Sequence, residues 1–108
     1  WVVANASLQE GWGLTLTEAG ACGTPAVATR IPGHTEAVDD GVSGLLVDGE
    51  QAMADAIGRV LDDADLRARL GAGAVDHAAR FTWAASAETV LQALVDDARR
   101  RGRRTGRR

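Results

Sequence analysis

At 108 residues the chain holds one domain with a modest core, less than an enzyme that encloses a sugar or nucleotide usually needs. Its 45% hydrophobic and 25% charged residues are a globular composition, and no apolar run approaches the ~18 residues of a membrane span. The net charge of −3 hides a split: all 15 acids lie in residues 1–98, while the last ten residues, "RRRGRRTGRR", hold most of the arginines. An acidic body argues against a nucleic-acid platform.

The chain opens on "WVVAN", an apolar β-branched run that reads as a strand buried on both faces. It has neither a Met start nor a signal-peptide pattern, and reads as a cut edge. "GLTLTEAGACG" follows as a helix, with Leu16, Ala19 and Gly20 on its packing side and Gly23 as the residue that ends it. Cys22 is the sole cysteine, which excludes an internal disulfide, and it reads as a small buried core residue. "PAVAT" (25–29) is a second strand, "RIPG" a loop and "HTEAVDDG" a short helix; "GLLV" (44–47) is a third strand.

From Glu50 the pattern is helical. In "EQAMADAIGRVLDD", Met53, Ala56, Ile57, Val60 and Leu61 form an apolar face. "DADLRARLG" has Asp63 as its N-cap, and "AVDHAARF" continues it after a glycine break. The last helix begins at the N-cap Thr82, carries a stripe of Ala87, Val90, Leu91, Leu94 and Val95, and has Trp83 as a staple onto the helix before it. The order βαβαβ plus C-terminal helices means α/β, a Rossmann-like parallel sheet flanked by helices. A doubly wound nucleotide-binding domain has two such halves, and one is present. The expected division is a partial nucleotide-sugar-binding domain over residues 1–98 and a disordered Arg-rich tail over 99–108. An edge strand near residues 1–5 would be open to self-pairing.

The stretch "QEGWGLTLTEAG" holds the densest chemistry. A parallel strand here feeds a helix mouth, the place where open α/β sheets bind ligands. The amides of Gly13, Leu14, Thr15 and Leu16 at the positive end of the helix dipole suit a diphosphate, and Gly11 and Gly13 permit close approach. Thr15 adds a hydroxyl. Carboxylates accept hydrogen bonds, so Glu10 and Glu18 point to sugar hydroxyls on either side of such a diphosphate. A plainer reading stands beside this one: acids placed for the dipole, and glycines that only turn the chain.

The surrounding blocks narrow the choice. Glu10-Gly11-Trp12-Gly13-Leu14, Glu18-Ala19, Gly23-Thr24-Pro25, Gly33 to Glu36 and Asp40-Gly41 to Val47 stand in an order and spacing that resembles the C-terminal domain of retaining GT-B glycosyltransferases of family 4, the glycosyl transferases group 1. The resemblance covers about residues 1–97 and includes the family's two glutamates separated by seven residues, Glu10 and Glu18. It implies the second half of a GT-B C-terminal domain in a hexosyltransferase. Sugar would pass from a nucleotide-diphosphate donor to an unknown acceptor, lipid-linked or polysaccharide, with retention, no metal and no cofactor. Carried over by position, Glu10 is the catalytic-site acid on the donor sugar. Trp12, Gly13 and Leu14 offer amides, Gly11 gives room, Thr15 lies beside the diphosphate, and Glu18 binds the ribose.

Some parts of the family pattern are missing. The Arg and Lys that grip the diphosphate, and the N-terminal domain with its acceptor site, are not in these residues. Pro32-Gly33-His34 replaces the usual paired glycines of the G-G-x-x-E loop. The 108 residues alone are therefore expected to have negligible transferase activity. Two rival readings remain, a non-catalytic nucleotide- or sugar-phosphate-binding module and a GT-B-like nucleotide-sugar epimerase. The Arg, Ala and Gly skew, without lysine, points to a GC-rich bacterial gene; a single cysteine suits a reducing compartment or indifference to redox, and the cytoplasm is the expected location. The tail is read as a solubilising end, with anionic lipid at the inner membrane face as the alternative. His34, on the ligand side of the sheet, is expected to cap the short helix or face solvent, with contact to donor or acceptor as the alternative; His77 is expected to be exposed, and Arg30 to form a surface ion pair, with a phosphate as its alternative partner. Trp12 either stacks on the sugar or fills its loop.

Overall fold

Small and β-branched residues set the layers. In the computed structural model, which describes residues 1–105, β1 (Val3–Asn5), β2 (Ala26–Thr29) and β3 (Gly44–Val47) form one parallel sheet in that order. Successive residues of a strand face opposite layers. Ala26 and Ala28 join Leu16, Ala37, Val38 and Leu46 in one core, and Val27 joins Ala56, Val60, Leu66 and Leu70 in the other. The central strand is therefore buried on both faces, as a parallel strand must be.

The first core is covered by α1 (Leu14–Ala21) and α2 (His34–Ala37), the second by α3 (Glu50–Asp62) and the start of α4 (Ala64–Ala78). On α1 the buried residues are Leu16, Thr17 and Gly20, close to the expected packing side. Asp63 caps α4 as expected, its Oδ1 accepting from the Leu66 amide at 2.8 Å. The glycine break expected within α4 does not occur: the helix runs unbroken through Gly71 and Gly73. Those residues let the helix touch other backbone. A Cβ on Gly71 would stand 2.6 Å from the Gly23 carbonyl oxygen, and one on Gly73 would strike the Val42 carbonyl.

Three expectations for the rest of the chain are corrected. Cys22 is exposed, because α1 ends at Ala21 and the cysteine lies in the turn beyond the packing face. Trp83 is 93% exposed and staples nothing, since α5 (Trp83–Thr105) points away from α4 instead of folding back on it. For the same reason the stripe of Val90, Leu91 and Leu94 stays exposed among the described residues. The projecting helix stretches the molecule to 66 × 26 × 18 Å. The Thr82 cap is present, its hydroxyl accepting from the Ala85 amide at 3.1 Å. Helix also replaces the expected disordered tail from Arg99 to Thr105. Arginine is a good helix former, and Asp97 pairs with Arg101 one turn on at 2.7 Å. Residues 106–108 of that expected tail lie outside the described residues.

The two glycine types separate in a stability measurement. Gly71→Ala drives a methyl into the Gly23 carbonyl and should cost about 1–3 kcal/mol in urea unfolding. Gly58→Ala in α3, where a Cβ meets nothing within 4 Å, should instead stabilise by up to about 1 kcal/mol. Equal effects at the two positions would contradict the close approach of α4.

Candidate functional site

Parallel strands release their loops at one edge. The loop after β1 (residues 6–13) and the loop after β2 (residues 30–33) leave from Asn5 and Thr29, which sit side by side in register with Ala28 as the Cα partner of Asn5. Thr29 ties the two together: its hydroxyl donates to the Ser7 carbonyl at 2.6 Å. Gly33 completes the seam. Its φ of +90° is one that side chains rarely adopt, and a Cβ there would lie 2.8 Å from the Glu10 carbonyl oxygen. The Glu36 carboxylate accepts from the Gly33 amide at 2.6 Å and from the Thr35 hydroxyl at 3.0 Å, closing the loop onto α2.

Glu10 lies on this seam, its side chain 32% exposed and its Oε2 3.8 Å from His34 Nε2. Glu18 is exposed on α1, one turn past the helix mouth. The first turn of α1 holds no acid, so Glu18 is not placed as a partner for the amides at the helix start. Those amides are fewer than expected. The Leu14 amide donates to the Trp12 carbonyl at 2.9 Å and the Leu16 amide to the Gly13 carbonyl at 2.9 Å. Of the four, that leaves the Gly13 and Thr15 amides without an intramolecular bond among the described residues: the tight turn at Trp12–Leu14 consumes the Leu14 amide, and the first helical turn the Leu16 amide. Thr15 is exposed beside them. A Cβ on Gly11 would meet nothing within 4 Å, so the chain's own packing does not require glycine at that position.

Trp12 fills its loop. Its ring packs edge-on against Phe81 with centroids 4.9 Å apart, and its Nε1–H donates to Thr17 Oγ1 at 3.3 Å. His77 is partly buried rather than exposed: its ring packs on Phe81 at 5.1 Å and its Nε2–H donates to the Glu36 carbonyl at 3.0 Å. The end of α4 and the turn after it thus prop the first loop and α2. His34 neither caps α2 nor faces solvent; its ring is wholly buried, with Nδ1 2.9 Å from the Thr29 carbonyl oxygen. Sequence reasoning missed this role of His34 and Thr29. The only signal was a histidine directly after the loop glycine, at the start of a helix.

Arg30 forms the expected surface ion pair, with Asp40 at 2.8 Å and Asp48 at 3.4 Å. Burial pushes the Asp40 carboxyl up, but the Leu46 amide and the Arg30 guanidinium outweigh it and hold the group below its ordinary range. A surface depression of about 590 Å³ lies between α3 and α4 and is lined by Asp55, Arg59 and Asp62, away from these loops. Beside Glu10 the residues Gln9, Gly11, Leu14 and Thr15 are exposed, and together they form an open shelf.

The family model of glycosyl transferases group 1 matches residues 1–77. The chain is 51% identical over 102 residues to a D-inositol 3-phosphate glycosyltransferase of Stackebrandtia nassauensis, a match that covers 93% of this chain and 23% of that protein. It therefore spans about a quarter of the length of the curated relatives it matches. Among solved structures, sucrose-phosphate synthase of Thermosynechococcus elongatus superposes with a TM-score of 0.72 at 34% identity, covering 86% of this chain and 25% of that one. HepE of Anabaena, in complex with UDP and glucose, gives 0.76 at 30% identity, covering 87% and 27%. The fold is that of the GT-B glycosyltransferases, and the chain corresponds to a C-terminal fragment of one.

The Glu36 seam makes an acid-sensitive contact. The Gly33 amide, then the Thr35 hydroxyl, hold the Glu36 carboxyl below its usual range. A group lowered on folding contributes stability above its unfolded pKa, and this is lost as pH falls through the lower folded value. Urea midpoints followed from about pH 6 to about pH 3 should therefore fall less steeply for Glu36→Gln than for the wild type. Parallel curves would show that the carboxylate contributes nothing.

Proposed function

This chain belongs to the glycosyl transferases group 1 family, and from that premise we propose that it supplies the donor-binding half-domain of a hexosyltransferase. The donor is a nucleotide-diphosphate sugar, transferred with retention at the anomeric carbon and without a metal. One observation carries the reading: an anion-accepting helix mouth with two unspent amides lies between an acid held on the loop seam and an acid one helical turn inside. A diphosphate takes the Gly13 and Thr15 amides and the Thr15 hydroxyl. Glu10 takes hydroxyls of the transferred sugar, and Glu18 those of the ribose. The empty space above Gly11 admits the ligand. Trp12 positions the loop, and Leu14 shapes the turn that aims the neighbouring amides.

The chemistry asked of these residues is electrostatic. As the glycosidic bond breaks, negative charge gathers on the departing diphosphate, and oriented amides at a helix mouth stabilise it without reorganising. Glu10 holds the sugar so that its reacting carbon faces the acceptor. The presence of UDP and glucose in the HepE structure supports this class of donor. An open shelf has no opposing wall to exclude water, so the 108 residues alone should turn over no donor.

In the full-length protein, calorimetric titration with UDP-, GDP- and ADP-sugars and with the free nucleotides tests the assignment. Glu18→Ala removes a charged hydrogen bond to ribose and should weaken all donors and free nucleotides alike, by about 10- to 100-fold. Glu10→Ala should leave free-nucleotide affinity within about threefold and lower turnover by about 100-fold. Wild-type behaviour of both variants would remove the site.

A further inference from the structure

The ring of His34 has one nitrogen committed and one without a partner. Nδ1 lies 2.9 Å from the Thr29 carbonyl oxygen, which can only accept, and 3.2 Å from the Thr29 hydroxyl, whose proton is already given to Ser7. Nδ1 therefore carries a hydrogen. Nε2 is shut off from solvent and makes no hydrogen bond, and it faces the Glu10 carboxylate at 3.8 Å. A bare lone pair there would stay buried and unsatisfied against an anion, the least favourable arrangement for both groups. A second proton there makes the ring an imidazolium, a buried cation that only the facing Glu10 carboxylate offsets, and a charge-assisted bond forms once the carboxylate moves inward by about 1 Å. Glu10 has that freedom because its side chain is 32% exposed, whereas the wholly buried ring has none. No ligand atom can reach Nε2, because the atom is covered.

We infer that His34 is the positioning residue for Glu10: fixed from behind by the Thr29 carbonyl, it donates Nε2–H to the carboxylate and sets the direction in which the other carboxylate oxygen meets the sugar. This rests on the reading above that Glu10 contacts the donor sugar. Pairing with His34 leaves one face of the carboxylate for hydroxyl groups. The rigid element behind it is β2, so the acid on a loop gains the precision of a strand.

Side-chain swaps in the full-length protein separate the two nitrogens. His34→Asn keeps a donor for the Thr29 carbonyl and removes Nε2, whereas His34→Gln places an amide donor near the Nε2 position. His34→Asn should lower kcat for sugar transfer by about 10- to 100-fold while UDP affinity changes less than about twofold. His34→Gln should recover to within about threefold of wild type. In a Glu10→Ala background neither substitution should change kcat further, since its target is gone. Equal loss of kcat and UDP affinity, failure of His34→Gln to exceed His34→Asn, or full additivity with Glu10→Ala would each overturn the inference.

The thermal midpoint distinguishes this failure from failure of the donor reading. If Glu10→Ala alone leaves transfer intact, the donor reading falls, and the pairing is then judged by stability. The midpoint lost to His34→Asn should shrink in the Glu10→Ala background, and equal losses in both backgrounds would sink the pairing. If His34→Asn does not fold, His34→Ala takes its place in both arms, with the same expected losses in the presence of Glu10, and a loss of kcat and thermal midpoint that is equal with and without Glu10 would overturn the inference.

Discussion

Two loops meet at the open end of the sheet because a peptide without a side chain lies between them. Gly33 stands where any Cβ would press on the Glu10 carbonyl, and its left-handed backbone turns the chain back into α2. Everything proposed for the shelf depends on that seam. It places the Glu10 backbone, and through β2 and Thr29 it places the imidazole beneath the Glu10 side chain. A parallel sheet is the reason the seam can exist. Its strands all end at one edge, so segments more than twenty residues apart in sequence emerge as neighbours.

The same economy of small residues runs through the body of the fold. Ala26 and Ala28 on the central strand let α1 and α2 lie close, while Val27, on the other side, meets the larger side chains of α3 and α4. Gly71 and Gly73 bring α4 against backbone, and the end of that helix and the turn after it then carry His77 and Phe81 to the first loop and α2. Trp12 is therefore a structural member of the shelf. Its indole, packed on Phe81 and bonded to Thr17, holds the turn that spends the Leu14 amide and leaves the Gly13 and Thr15 amides without an intramolecular bond.

Most of the fold was legible because local rules set it. β-Branched runs closed by Gly, Asn and Asp marked the strands, and Asp63 and Thr82 announced helix starts through side-chain oxygens that reach amides three residues on. Glycines within α4 misled, because helical backbone and close approach both suit glycine and only the neighbouring chain distinguishes them. Cys22 misled for a related reason: a small apolar residue next to a helix end lies inside or outside according to a single residue's rotation. The stripe on α5 was correctly periodic, yet period says which residues share a face and nothing about what covers it.

By itself the sequence determined the α/β order, the helix mouth after the first strand and the two glutamates that flank it, since propensity, capping and spacing act within a few residues of each other. Only tertiary structure decided which amides remain unspent, that Trp12 packs on Phe81 and that His34 lies buried under Glu10. Those outcomes come from contacts between segments far apart in the chain. A histidine's surroundings, unlike a helix's period, are written by whatever the fold brings next to it.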